Sequence, residues 1–468
     1  MLGTQESPLR VAIIGAGPSG FYAAGHLLKN KQHPELAVEV DLFDKLPTPF
    51  GLVRAGVAPD HPKIKSVTRV FEKTAADPRF RFFGGVELGK HVTREELLQH
   101  YHAVIYTFGT STDRRLWIDG EELPGSGSAT DFVAWYNGHP DAADLEFDLS
   151  AARAVVVGNG NVAIDVARML LLPREELAGT DTADHAIDAI DAAGVTEVQI
   201  LGRRGPAQAA FTNPELLELG EMTDTDVIVD PADLELDEHS LAALDQTGEA
   251  TARKNVDILR EYAARPTTGA SKRIVLRFFV SPVRIEGDDK VERIVLERNE
   301  LVADGGALRA KGTGEEEVLE TGLVFRAVGY RGEPLAGIPF DERRALIRNE
   351  DGRVLDDAGS HLHGEYTAGW IKRGPSGVIG TNKKCAHDTV DGLLHDLTAK
   401  RMNAPKDPSR DGIDALLHER VTELVEWQGW QAIDAAEVAA GEPQGRPRVK
   451  LVTYDGLNEA ARGAGTTA

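Results

Sequence analysis

The sequence predicts an α/β protein of two Rossmann-like dinucleotide-binding units, each a parallel sheet flanked by helices, the second inserted into the first. Three observations predict it. A glycine triad, Gly15, Gly17 and Gly20, follows an apolar run and opens a helical stretch. A related turn, Gly158, Gly160 and Ala163, recurs later with the same flanks. Two similar strands, residues 103–108 and 323–328, each ending in glycine, bracket the second turn and read as crossings between units. The expected division is 1–110 and 327–468 for the first unit, the latter part including a C-terminal extension, and 111–326 for the inserted one.

Bulk properties agree with two soluble domains. A chain of 468 residues, 41% hydrophobic and 27% charged, is too long for one ordinary core. It has no run of about 18 apolar residues that would span a membrane. Residues 1–10 lack the basic-then-apolar pattern of a signal peptide. The single cysteine, Cys385, excludes an internal disulfide, a redox-active Cys pair and a cluster held by several Cys ligands. A cytoplasmic location is expected, no metal site is expected, and redox chemistry would sit on a bound cofactor. The formal net charge of -23 argues against nonspecific nucleic-acid binding. The charge is uneven. Residues 221–249 hold no Lys or Arg, whereas 63–81 and 253–277 are rich in both. Those basic stretches read either as ordinary solvated faces or as a local positive patch.

The elements follow in order. Residues 10–14 form a buried parallel strand, and the turn Gly15-Ala16-Gly17-Pro18-Ser19-Gly20 starts a helix. Gly15 permits the turn, Gly17 lets the backbone approach a pyrophosphate, and Gly20 lets helix and strand pack closely. The free N–H groups of the helix start supply the anion site. A second strand, 38–43, ends at Asp44, where an acid should take ribose hydroxyls.

In the inserted unit, strand 154–157 leads to Gly158-Asn159-Gly160-Asn161-Val162-Ala163 and a helix. The next strand, 196–201, ends in Gly202-Arg203-Arg204-Gly205. No carboxylate stands at the ribose position, and two guanidinium groups do. Their planar forks favour a 2′-phosphate, so NADPH is expected over NADH. One acidic and one arginine terminus imply one cofactor kept as a prosthetic group and one that exchanges.

Residues 291–299 alternate and read as a strand partnered by 274–280, and 240–264 reads as helix and loop. Gly369-Trp370 and the glycine-rich stretch 374–380 read as a strand end, a loop and a helix beginning near Lys383; such a loop can approach a flavin closely. Residues 441–450 read as irregular surface chain and the last six as a loose end.

The strings at 49–62 (PFGLVRAGVAPDHP), 158–168 (GNGNVAIDVAR), 202–212 (GRRGPAQAAFT) and 370–381 (WIKRGPSGVIGT) resemble the adrenodoxin-reductase-like ferredoxin–NADP+ reductases over nearly the whole chain. The resemblance implies FAD in the first unit and NADPH/NADP+ in the second. By position in the family pattern, Ala16, Asp44, Leu52, Val86, Trp370, Gly377, Val378 and Ile379 line FAD. Asn159, Gly160, Asn161, Val162, Arg203, Arg204 and Glu215 line NADPH. Two departures stand out: Asp44 where many relatives have Glu, and Asn213-Pro214 ahead of Glu215.

The implied activity is NADPH:ferredoxin oxidoreduction, with hydride passed to FAD N5 and single electrons to a [2Fe-2S]-type or similar ferredoxin. Asp60, His61 and Glu215 are the candidate polar groups near the nicotinamide. His61 has a second reading, a structural histidine bonding the turn between its prolines. The partner is expected to dock transiently by charge on residues 63–81 and 253–277. Three alternatives share the fold: a quinone or dye reductase, a monooxygenase, and a non-enzymatic flavin- or NADPH-sensing protein. The sequence leaves the oligomeric state open.

Overall fold

A computed structural model describes residues 2–31, 33–247, 250–304, 307–377 and 379–463. The chain divides into two compact units, Met1–Thr112 with Tyr330–Ala468, and Asp113–Gly329. Among the described residues no helix is long and apolar enough to cross a membrane.

The first unit is built on an eight-stranded sheet. Its centre is β1 (Leu9–Ile14), flanked by β2 (Val38–Asp44) and then β3 (Phe80–Gly84) on one side. On the other side lie β4 (Ala103–Tyr106) and the strand His361–Thr367. These five are parallel, and the central strands are buried on both faces, which is why they read as unbroken apolar runs. Both edges are finished by antiparallel pairing: Val425–Glu426 on β3, and Arg353–Leu355 with Asn349–Glu350 on the far side. Short paired edges leave little open ladder. Helix α1 (Pro18–Leu28) and the helix Ile379–Thr398 pack on one face. The latter begins four residues ahead of the expected Lys383. Gly380, a poor helix former, lies inside its first turn, so packing against α1 outweighs local propensity there.

The second unit carries a fully parallel six-stranded sheet. Its order is Ser126–Ser128, Leu323–Arg326, Arg153–Val157, Glu197–Leu201, Lys272–Arg277 and Thr225–Val229. Beside it lies an antiparallel three-stranded sheet of Val280–Glu286, Arg293–Asp304 and Ala307–Glu320. The expected pairing of residues 291–299 with 274–280 is therefore corrected. Lys272–Arg277 is held between two parallel neighbours, and Arg293–Asp304 pairs with the strands on either side of it in sequence. Adjacent strands joined by tight turns pair at lower loop-closure cost. Glu238–Thr247 and Ala250–Ala264 are helices.

Residues 441–450 are the irregular surface chain expected in part: 445–450 carry no helix or strand and 442–445 are exposed. Helix Trp427–Gly441 runs into them, and Arg446 and Lys450 are buried. Of the expected loose end, residues 464–468 lie outside the described residues.

Candidate functional site

In the first unit the glycine turn is fixed by backbone geometry. Gly15 has φ +107, and a Cβ there would lie 2.6 Å from the backbone of Phe108. A Cβ on Gly20 would lie 2.2 Å from the Gly15 carbonyl oxygen, so helix and turn touch. At Gly17 a Cβ would meet nothing within 4 Å. That open space beside the α1 N-terminus, with Pro18 in its first turn, suits a pyrophosphate against bare N–H groups. Thr107 holds the turn from below, its hydroxyl donating toward the Ile14 and Gly15 carbonyls at 3.0 and 2.8 Å.

Asp44 closes the cradle at the end of β2. Its carboxylate accepts from the Ala16 N–H at 2.7 Å and the Leu46 N–H at 3.0 Å. Burial pushes the Asp44 carboxyl above the ordinary aspartate value, against those N–H groups and Lys45. The outer lone pairs of its oxygens are what remain for ribose hydroxyls. Ala16 is buried and contributes through its backbone: its carbonyl accepts from the Phe50 N–H at 2.8 Å. Val86 is buried, with its N–H on the Asp44 carbonyl at 2.9 Å. Leu52 opens the short helix α2 (Leu52–Ala55) and is exposed.

Ser19 is buried under Gly369, whose Cβ position lies 2.3 Å from the Ser19 hydroxyl oxygen. Trp370 follows at once, its ring 5.3 Å from that of Tyr330 and its buried indole Nε1 lacking a hydrogen-bond partner. Gly377 is exposed and Ile379 opens the helix that packs beside α1. Val378 lies outside the described residues. An open glycine slot, a second helix N-terminus and an orphaned indole N–H fit a dinucleotide carrying a polar ring system.

The second unit repeats the turn. Gly158 has φ +131, and its Cβ would lie 2.2 Å from the Ala327 carbonyl oxygen. Gly160 faces open space except for Ala210, whose Cβ lies 4.0 Å away. Gly160 caps the helix Asn161–Leu171, and Ala163 is buried against the sheet. Asn159 accepts on its carbonyl from Ala210 at 3.0 Å, and the Asn161 side chain accepts from the Thr212 N–H at 2.8 Å. Val162 is half-buried on the same rim.

Arg203 is exposed and Arg204 half-buried. Their carbonyls are tied down, by the Asn299 side chain at 2.9 Å and the Phe279 N–H at 3.2 Å. Among the described residues no carboxylate pairs with either guanidinium. Burial and then the neighbouring Arg203 charge hold Arg204 below its ordinary pKa. Two uncompensated, adjacent guanidinium groups at the end of a nucleotide-fold strand make a ready phosphate site.

Asp60 and His61 lie in the first unit and Glu215 in the second. His61 is buried and precedes helix α3 (Pro62–Lys65) without capping it through its side chain. Glu215 lies in the first turn of helix Asn213–Leu219, with a buried oxygen lacking a hydrogen-bond partner. Pro214 takes a first-turn position, where its missing N–H costs nothing, so the loop leads straight into a helix.

Sequence reasoning missed the weight of Phe50, Gly51 and Thr107. Phe50 has φ +82, and Gly51 touches the Gly17 backbone. The signal for Phe50 and Gly51 was present only as the Pro49-Phe50-Gly51 turn, and that for Thr107 only as the end of the strand 103–106.

A family model described as pyridine nucleotide-disulphide oxidoreductase matches residues 9–199. The chain is 52% identical to NADPH-ferredoxin reductase FprA of Mycobacterium tuberculosis, over 95% of this chain and 97% of that protein. It is 40% identical to the mitochondrial NADPH:adrenodoxin oxidoreductase of Salvelinus fontinalis, over 98% of this chain and 92% of that one. A solved structure of M. tuberculosis FprA in complex with NADPH superposes with a TM-score of 0.90 at 51% identity, covering 97% of this chain and 99% of that one. On these relationships and the two cradles together, the chain belongs to the NADPH-ferredoxin reductase family, in the adrenodoxin-reductase-like branch.

Proposed function

We propose that this chain is an FAD-containing NADPH:ferredoxin oxidoreductase that delivers electrons singly to a small iron–sulfur protein. The observation that carries the reading is the pair of cradles. One ends in a carboxylate set beside an open glycine slot, the other in two arginines free of acidic partners.

FAD, when bound, supplies a ring that takes hydride and releases electrons one at a time. The chain's own residues bind and orient. Gly17 and the α1 N-terminus would hold the FAD pyrophosphate, with Asp44 on the ribose and Ile379 and Trp370 toward the ring system. Gly158, Asn159, Gly160, Asn161 and Val162 would hold the NADPH pyrophosphate. Arg203 and Arg204 would pair with its 2′-phosphate and favour NADPH over NADH. Asp60, His61 and Glu215 are the polar groups assigned to the nicotinamide. His61→Ala should slow flavin reduction by NADPH while leaving FAD bound, as read by stopped-flow absorbance; an unchanged rate rejects the assignment.

The iron–sulfur partner would dock on Lys63, Arg69 and Lys73. All three are exposed and free of carboxylate partners among the described residues, and exposed Ile64 and Val70 lie between them in sequence. The broader basic face expected at 63–81 and 253–277 is reduced. Arg79 pairs with Asp77, and Arg81 with Asp41 and Asp414. Arg273 pairs with Glu197 and Arg277 with Glu317, and Lys272 donates to the Leu171 carbonyl.

The deciding experiment is anaerobic titration of the purified protein with NADPH, followed by cytochrome c reduction with and without ferredoxin. Bleaching of the flavin and ferredoxin-dependent turnover support the reading. Equal turnover without ferredoxin points to a dye or quinone reductase, NADPH oxidation that requires oxygen and an organic substrate to a monooxygenase, and no bleaching to a binding protein.

A further inference from the structure

The segment 49–56 rests directly on the first glycine turn. The Phe50 N–H donates to the Ala16 carbonyl at 2.8 Å, and a Cβ on Gly51 would lie 3.0 Å from Gly17 Cα. Phe50 adopts φ +82, a conformation that a bulky residue holds only under constraint.

The Phe50 ring packs 5.3 Å from Phe21 and 5.9 Å from Phe71, and further constraint comes from the far end of the chain. The Phe50 ring packs 5.5 Å from Trp430 and 6.3 Å from Trp427, both on the helix Trp427–Gly441. Four residues on, Arg54 makes a two-pronged bond to the Glu437 carboxylate, Nη1 to Oε2 at 2.8 Å and Nη2 to Oε1 at 2.5 Å. The Arg54 guanidinium also sits over the Trp430 ring at 5.4 Å. Lys450 donates to the Arg54 carbonyl at 3.0 Å.

Glu437 is 1% exposed. Besides Arg54 it accepts from Arg448 at 3.1 Å and the Leu451 N–H at 2.9 Å. A buried carboxylate satisfied on both oxygens is a rigid fixture, since losing either partner strands a charge. Nothing in the hydride chemistry needs it.

We propose that Glu437 is a positioning residue for the flavin site: by gripping Arg54 it fixes the segment 49–56 over the glycine turn, so the helix Trp427–Gly441 sets how firmly FAD is held. The proposal rests on the reading that the first unit takes FAD.

The test measures FAD dissociation, through recovery of free-flavin fluorescence on dilution, with the visible circular dichroism of the bound flavin and the melting temperature of the apoprotein. Glu437→Gln should weaken FAD binding by about tenfold or more and change the visible dichroism. The double variant Arg54→Leu/Glu437→Leu removes the pair, while Arg448 keeps its bond to Asp434 at 2.7 Å. It should keep the parental melting temperature and show the same FAD loss. Glu437→Asp should recover part of the affinity. Asp41→Asn breaks a different buried cluster in the same unit, with Arg10, Arg81 and Tyr101. It should lower the melting temperature yet leave FAD affinity within about twofold. Parental FAD affinity and dichroism in the Glu437 variants, or an equal FAD loss in Asp41→Asn, would overturn the proposal. A parent protein that takes up no flavin overturns the functional reading as well, so the two failures are distinct.

Discussion

Arg203 and Arg204 carry the clearest single-residue consequence. Their backbone is pinned and their side chains lack a carboxylate, so their charge is held ready for an anion. Replacing either by Ala should raise KM for NADPH about tenfold and leave KM for NADH nearly unchanged in steady-state assays with a dye acceptor. His102 yields a prediction about pH. Burial, then the Arg10 charge, pushes its pKa from 6.5 down to about 4, and its Nδ1 accepts from the Arg10 N–H. Between those two values the unfolded chain binds a proton that the folded chain refuses. Stability contributed by neutral His102 is thus complete above about 6.5 and falls as the pH drops toward 4. The melting temperature should decline across that window, and less steeply in His102→Gln. The glycines, Asp44 and the two arginines were legible because spacing alone gives them roles. Glu437 was not: its partner Arg54 lies far away in sequence, and no local pattern marks a charge for burial.

At the scale of elements, the two glycines of the first turn should separate on substitution. Gly17→Ala leaves the fold intact, since its Cβ meets nothing, but fills the slot for the pyrophosphate; the product should be a folded, colourless protein by circular dichroism and absorbance. Gly15→Ala demands a positive φ and a clash with the Phe108 backbone, so it should yield little soluble protein. Strands and helices of the nucleotide folds could be read from the sequence because buried parallel strands are apolar runs closed by glycine. The partner of Arg293–Asp304 could not. Alternation says that a strand has two faces, not which neighbour completes its ladder. The start of the helix at Ile379 escaped for a related reason: glycine and proline mark loops locally, and packing on α1 overrides them.

For the molecule as a whole, a net charge of -23 repels an acidic partner, which the proposed local patch would have to offset. Reversing Lys63, Arg69 and Lys73 to Glu should raise KM for an acidic ferredoxin and flatten its salt dependence, while ferricyanide reduction stays at the parental rate. Added salt should slow the parent with ferredoxin and spare it with ferricyanide. Equal salt responses for both acceptors would remove the patch from consideration. The presence of basic stretches was visible in the sequence. Which of their members are spent on internal ion pairs was not, because Asp41, Glu197 and Glu317 reach them only through the fold.

The first unit is interrupted, and this orders its biogenesis. As the chain emerges from the ribosome, β4 has no neighbour on one side until residues 361–367 arrive, and β3 waits for 425–426. The intervening stretch 113–329 holds every strand of its own sheet and can close while synthesis continues. At roughly 5–20 residues per second the wait lasts on the order of tens of seconds, with a sticky ladder exposed to chaperones or to other nascent chains. Trp370 and Ile379 of the first cradle are also made only after that wait, and a message truncated before residue 361 should give a colourless product prone to aggregate.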